Sequence, residues 1–125
     1  MDFLPLFHNL KCRRVIVIGG GEIALRKVRL VAEADAFITI VAKEYCNDLI
    51  EMRDSNAKKG THNLELITAP YHQQYIDNNP DAVLVIAATN DPELNREVSK
   101  HAQQAHMLSN VVDDPGYSTV IFPSI

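Results

Sequence analysis

Three consecutive glycines form a candidate phosphate-binding turn. Residues 19–24 read Gly-Gly-Gly-Glu-Ile-Ala, which fits the pattern G-x-G-x-x-A. In this pattern Gly19 makes the tight turn, Gly21 leaves room for a pyrophosphate, and Ala24 lets a helix pack closely against a strand. The first N–H groups of that helix would face the phosphates. Glycine also suits any turn that needs a positive φ, so dinucleotide binding depends on the flanking elements.

Those flanking elements are a predicted strand and a predicted helix. Val15–Ile18 is a β-branched run of the kind that is buried on both faces of a parallel sheet. From Glu22 to Ala32 the apolar residues recur with a helical period. A second β-branched run, Phe37–Ala42, predicts another strand. Strand, glycine turn, helix and strand follow one another, and this order favours dinucleotide binding.

The rest of the chain continues the alternation of strands and helices. We expect strands at Leu64–Ile67, Ala82–Ala88, Met107–Val112 and Ser118–Phe122, helices at Tyr45–Arg53 and Glu93–Gln104, a helical turn or two within Tyr71–Asp77, and a solvated loop at Asp54–Asn63. Such spacing predicts right-handed crossovers. The predicted fold is therefore α/β and Rossmann-like: one domain over residues 1–125, with a doubly wound, mostly parallel sheet and helices on both faces.

Polar residues follow the second and fourth strands at the sheet edge where ligands bind. Glu44 could accept a hydrogen bond from the ribose 2′-hydroxyl of NAD, whereas Lys43 could pair with the 2′-phosphate of NADP. Both could equally be charges on an exposed loop. Thr89 could contact the cofactor or cap the next helix. The residues alone leave these alternatives open.

Asp113 is the candidate general base. It follows the fifth strand, where a carboxylate would face a substrate lying on the nicotinamide. The sequence Asp-Pro-Gly at 114–116 is also a turn signal by itself, so a purely structural role stays open.

Composition excludes several other classes of protein. The chain has 125 residues, a net charge of -4 and two cysteines, which suit a reduced cytoplasmic domain. Its only basic cluster, Arg26, Lys27 and Arg29, is too small for a nucleic-acid footprint. No apolar run is long enough to span a bilayer. We expect no metal site, since neither cysteine belongs to a C-x-x-C pair. The apolar residues at 120–125 lead us to expect that the chain continues in a longer protein.

Five segments spread over the whole chain resemble a known family. They are Met1–Phe7, Val17–Lys27, Ile86–Asp91, Asn110–Asp113 and Phe122–Ile125. The opening Leu-Pro-Leu-Phe, the glycines followed by Ala-x-Arg-Lys, and Asn-Val-Val-Asp are together specific. These segments resemble the N-terminal domain of the siroheme synthase family.

The resemblance implies an activity and a set of site residues. It implies NAD-dependent oxidation of precorrin-2 to sirohydrochlorin, then insertion of Fe(II), in a homodimer. Asp113 matches the proposed catalytic acid of the family, and Glu22, Ile23, Lys43 and Glu44 match its cofactor contacts. The expected cofactor-binding residues are then Gly19, Gly20, Gly21, Glu22, Ile23, Ala24, Lys43, Glu44 and Thr89.

Two other classes of protein share the glycine pattern. An NAD(H)-sensing regulatory module would bind the nucleotide without catalysis, but it usually has an acid at the end of the second strand, where this chain has Ala42 and Lys43. A methyltransferase that uses S-adenosylmethionine is the third option, and Ala24 suits a dinucleotide better.

Overall fold

A five-stranded, all-parallel sheet forms the centre of the molecule. The structure, a computed structural model, describes residues 2–123. The strands are β1 (Arg14–Ile18), β2 (Phe37–Ala42), β3 (Leu64–Thr68), β4 (Ala82–Ala87) and β5 (Leu108–Val111). They lie in the order β3-β2-β1-β4-β5, and each neighbouring pair is parallel. This is the predicted Rossmann-like, doubly wound fold.

Helices cover both faces of the sheet. They are α1 (Glu22–Glu33), α2 (Asn47–Lys58), α3 (Gln74–Asp77) and α4 (Pro92–Gln104). Apolar residues of α1 and α2 pack in one core cluster, and those of α3 and α4 pack in a second. β1 contributes to both, with Val15 and Val17 in the first and Ile16 and Ile18 in the second. The continuous apolar run of β1 is therefore explained by burial on both faces.

The second helix is longer than predicted. It covers Asn47–Lys58, whereas the sequence interpretation placed a helix at Tyr45–Arg53 and a loop from Asp54. The residues after Arg53 continue the helix to Lys58, and Gly60 just beyond it has a φ of 78° and donates its N–H to the carbonyl oxygen of Ala57 (3.0 Å). A glycine in the left-handed region is a common helix end, and it was the more reliable boundary signal here.

The predicted sixth strand, Ser118–Phe122, is wrong. This segment runs beside β5, where the backbone N–H groups of Thr119 and Val120 both donate to the carbonyl oxygen of Ser109 at 2.8 and 3.1 Å. Ser118 Oγ accepts the N–H of Val111 and Thr119 Oγ1 accepts the N–H of Ser109, each at 2.8 Å. Two N–H groups of β5 are thus bonded by hydroxyl groups, and its Ser109 carbonyl by two backbone N–H groups, without the regular ladder of a strand.

Three residues of the segments that resemble the family are not described by the structure. Met1, Ser124 and Ile125, which belong to the first and last segments of the family resemblance, lie outside the described residues. Within residues 2–123, no helix is long and apolar enough to cross a membrane.

Candidate functional site

A cleft of about 640 Å³ lies along the carboxyl ends of the strands. It is lined by residues 19–23 of the glycine turn, by Lys43 and Glu44 after β2, and by Thr89 after β4. The structure thus brings together eight of the nine expected cofactor-binding residues. The ninth, Ala24, is fully buried in the core cluster beneath α1. Its small side chain serves the close packing of helix and sheet rather than direct contact.

Two of the glycines are required by close backbone contacts. Gly19 has a φ of 131°, and a Cβ there would lie 2.3 Å from the carbonyl oxygen of Ala88. A Cβ on Gly20 would lie 2.1 Å from the carbonyl oxygen of Glu44. The glycine turn is therefore packed against the loops that follow both β4 and β2. The requirement at Gly20 was missed because the pattern G-x-G leaves its middle position free.

Gly21 differs, because its α-carbon faces open space. A Cβ at this position would have nothing within 4 Å among the described residues. Gly21 lines the cleft directly before α1. This open approach to the helix fits a pyrophosphate that comes close to the backbone.

The start of α1 is left available for an anion. Within residues 2–123, no side chain caps this helix, whose N-cap residue is Gly21. The start of α4 is different, because Asp91 Oδ1 accepts the N–H groups of Glu93 and Leu94 at 3.0 and 3.3 Å. Uncapped N–H groups and the positive end of the helix dipole both favour a phosphate at α1. The residues at this end of the cleft therefore fit a dinucleotide.

The loop after β2 is fastened to the glycine turn through its backbone. Cys46 donates its N–H to the carbonyl oxygen of Gly20 at 2.8 Å. Lys43 and Glu44 within this loop are both exposed and line the cleft. Both side chains are therefore available to a ligand in the cleft.

Thr89 is held in place by a residue that sequence reasoning missed. Asn95 Oδ1 accepts from the backbone N–H and the hydroxyl of Thr89 at 3.1 and 2.5 Å, and Asn95 Nδ2 donates to the carbonyl oxygen of Thr89 at 3.0 Å. The helix cap is Asp91, so a capping role for Thr89 is wrong. Asn95 shares the buried face of α4 with Val98 and Ala102, and a polar residue at that spacing was the available signal.

Asp113 lies apart from the cleft residues. It follows β5 on an exposed loop and has a φ of 57°. Burial lowers the pKa of Lys27 on α1, and the negative charge of Asp113 opposes this by raising it. The Nζ of Lys27 also lies 4.7 Å from the ring centroid of Phe122. Asp113 is thus at the predicted sheet edge, on the side of the molecule where α1 meets the segment around Phe122.

The neighbouring acid is engaged differently. Asp114 accepts a hydrogen bond from Arg96 Nε at 3.1 Å, and the guanidinium of Arg96 lies 4.8 Å from the ring centroid of Tyr117. Among residues 2–123, Asp113 forms no such salt bridge. Of the two adjacent carboxylates, Asp113 is the one left available for another partner.

The described residues contain no candidate metal site. Within residues 2–123 there is no group of three or more histidine, cysteine or acidic side chains that could hold a metal ion.

Comparison with known proteins identifies the family. A family model described as "Putative NAD(P)-binding" matches residues 6–124. The chain belongs to this NAD(P)-binding family. This membership confirms the nicotinamide dinucleotide that the glycine turn predicted, and it agrees with the open approach to α1.

Relatives of this NAD(P)-binding chain include siroheme synthases. The siroheme synthase of Pseudomonas entomophila (strain L48) is 47% identical over 125 residues, and that of Azotobacter vinelandii (strain DJ / ATCC BAA-1303) is 46% identical over 126. Each match covers 100% of this chain but 25% of the relative. The family resemblance seen in the sequence is confirmed, and the chain spans about a quarter of the length of these relatives.

A solved structure shares the fold. "SirC, precorrin-2 dehydrogenase" superposes with a TM-score of 0.73, covering 98% of this chain and 55% of that one, at 23% sequence identity. This likeness supports the Rossmann-like fold described above.

Proposed function

We propose that this chain is the NAD-binding part of an enzyme that oxidises precorrin-2 to sirohydrochlorin in siroheme biosynthesis. The observation that carries this proposal is the similarity of siroheme synthases over the whole chain, at 47% identity for one of them. The structural neighbour titled as a precorrin-2 dehydrogenase supports oxidation as the step that an NAD(P)-binding domain would serve.

The cleft residues would bind and orient the cofactor. NAD supplies the hydride acceptor when it is bound. The open side of Gly21 and the uncapped start of α1 suit the pyrophosphate. Glu44 would accept a hydrogen bond from the 2′-hydroxyl of the adenosine ribose. Thr89 follows β4, on the opposite side of β1 from Glu44, where the nicotinamide would reach.

Asp113 is the proposed general base. Oxidation of precorrin-2 to sirohydrochlorin removes a hydride and a proton, and the proton needs an acceptor. A carboxylate can act in this way when it is positioned at the substrate. Asp113 is free of salt bridges within the described residues, whereas Asp114 is paired with Arg96. Asp113 is therefore the better candidate of the two.

Insertion of Fe(II) is a further part of the proposal. The pyrrole N–H protons must leave before the four ring nitrogens bind the metal, and the same carboxylate could accept them. Fe(II) would enter as a substrate, so a resident metal site on the protein is not required. The similarity to siroheme synthases is also the basis for proposing a cytoplasmic homodimer.

The test is an anaerobic assay of the full-length protein with precorrin-2 and NAD. Appearance of NADH and of sirohydrochlorin is followed by absorbance, with NADP and the 125-residue chain in parallel. We expect turnover of the full-length protein with NAD. NAD binding without turnover would contradict the dehydrogenase and favour a nucleotide-sensing module. Addition of Fe(II) to the sirohydrochlorin product then tests the chelatase step separately.

A further inference from the structure

An aromatic pair joins β3 to α4 beside the cleft. Tyr71 stands three residues after β3, and its hydroxyl lies 2.7 Å from Nδ1 of His101 in the last turn of α4. The two rings are also stacked, with centroids 5.8 Å apart and planes 17° from parallel. Two different contacts therefore fix the Tyr71 ring in one orientation.

The phenol of Tyr71 keeps its proton. Burial raises the pKa of Tyr71 well above its usual value, and the negative charges of Glu97 and Asp77 raise it further. A protonated phenol can donate to Nδ1 of a neutral imidazole, which then carries its own hydrogen on Nε2. The phenol can therefore act as the hydrogen-bond donor in its contact with His101.

Tyr71 lies on the side of the cleft where the adenosine half of the cofactor would bind. The glycine turn follows β1, Lys43 and Glu44 follow β2, and Tyr71 follows β3, in the order in which these strands lie side by side. The pyrophosphate belongs at the start of α1, and the end of β2 reads the adenosine ribose. The base attached to that ribose then lies beyond the pyrophosphate on the side of β2 and β3.

The surroundings of Tyr71 suit a purine. Tyr71 lines the cleft together with Ala42, Ala69, Pro70 and Leu94, which are all apolar. The nicotinamide half would extend the other way, towards β4 and β5, the side on which the proposed base Asp113 follows β5. An aromatic ring among apolar neighbours is a suitable stacking surface for an uncharged base.

We propose that Tyr71 binds the adenine of the cofactor and that His101 is a positioning residue that holds the Tyr71 ring. The inference rests on the proposed binding of NAD. It assigns the adenosine half of the cleft, which the glycine pattern does not specify.

Binding of cofactor fragments tests the assignment. Affinities for NAD, AMP and nicotinamide mononucleotide are measured by calorimetry on the purified full-length protein. We expect Tyr71→Leu to lower the affinities for NAD and AMP by the same factor. That factor should be about tenfold, as is typical for loss of one aromatic stacking partner of a base. Affinity for nicotinamide mononucleotide should not change.

Variants of His101 separate positioning from direct contact. His101→Ala should weaken AMP by a smaller factor, about threefold, because the Tyr71 ring remains but is no longer fixed. His101→Gln should restore most of the affinity, since its amide oxygen can accept from the phenol. Tyr75→Leu is the matched control, because Tyr75 packs against the same core cluster but lies outside the cleft lining. It should lower the melting temperature without affecting AMP.

The outcomes distinguish this inference from the proposed function. If Tyr71→Leu lowers the melting temperature and leaves AMP affinity unchanged, Tyr71 is only structural and the inference fails. Equal weakening of AMP and nicotinamide mononucleotide would mean a general disturbance of the cleft, which also contradicts it. Failure of the parent protein to bind NAD would instead overturn the cofactor assignment on which the inference depends.

Discussion

Cys46 and Gly20 are joined by a backbone hydrogen bond of 2.8 Å, which fastens the loop after β2 to the glycine turn. A Cβ on Gly20 would lie 2.1 Å from the carbonyl oxygen of Glu44 in the same loop. The middle glycine therefore sets the distance between two parts of the cleft. Gly21, one residue later, faces open space instead.

The two adjacent glycines should respond differently to alanine. Gly20→Ala must displace backbone and should destabilise the fold by about 3 kcal/mol, in the range of overpacking substitutions. Gly21→Ala should change the free energy of unfolding by less than about 1 kcal/mol, because the added methyl group meets open space. The same methyl group would occupy the approach to the pyrophosphate and should lower the affinity for NAD more than about tenfold. Urea unfolding and NAD titration of both variants provide the measurements. Equal loss of stability in the two variants would contradict the packing difference.

Asn95 should be essential for the local structure after β4. Asn95→Ala leaves the half-buried backbone N–H and carbonyl of Thr89 without their partner, and this should destabilise the protein by about 1 to 3 kcal/mol. NAD should bind more weakly, because Thr89 lines the cleft. Val98→Ala, an apolar change on the same buried face of α4 and outside the cleft lining, is a control that keeps this network. A stability loss in Asn95→Ala no larger than that of an exposed substitution would disprove the role.

The fold was predictable because burial and turn chemistry act locally. Val15–Ile18 must be buried on both faces, and this predicts a central parallel strand. Ser118–Phe122 also has an apolar, β-branched pattern, yet the edge strand β5 is satisfied by the hydroxyl groups of Ser118 and Thr119. The pattern of a segment does not reveal which donors are already occupied, so the sixth strand was wrong.

The candidate site was predictable where a single local motif defines it. The glycine turn and the polar ends of β2 and β4 all reach one cleft. Asn95 and Tyr71 were missed, because their roles depend on contacts between elements distant in sequence. The partner of Tyr71, for example, is 30 residues away.

Tyr45 should make stability depend on alkaline pH. Its hydroxyl lies within hydrogen-bond distance of the carbonyl oxygens of Ile40 (3.0 Å) and Ile67, and burial raises the pKa of Tyr45 to about 12. The unfolded chain has the usual value of about 10. Between these two pH values the folded state binds more protons than the unfolded state. The contribution of Tyr45 to the free energy of unfolding is therefore complete below about pH 10 and is lost as the pH rises towards 12.

The variant Tyr45→Phe isolates this contribution. At pH 8 it should be less stable than the parent by about 1 kcal/mol, the typical value of one hydrogen bond. The difference should shrink as the pH rises from 10 to 12, because only the parent has a group to deprotonate at this position. Tyr71 is present in both proteins, so its own titration cancels in the comparison. A difference that stays constant with pH would contradict the assignment.

Asp113→Asn should separate chemistry from cofactor binding. Asparagine tolerates the left-handed backbone that Asp113 adopts at a φ of 57°, so the loop should be preserved while the base is removed. We expect dehydrogenation by the full-length protein to fall by about 100-fold or more, as for loss of a general base. NAD affinity should stay within about twofold of the parent, because Asp113 lies outside the cleft lining. Asp114→Asn is the matched control, since it breaks the contact with Arg96 and should lower stability slightly while activity is largely retained. Turnover of Asp113→Asn at the parental rate would show that another group accepts the proton.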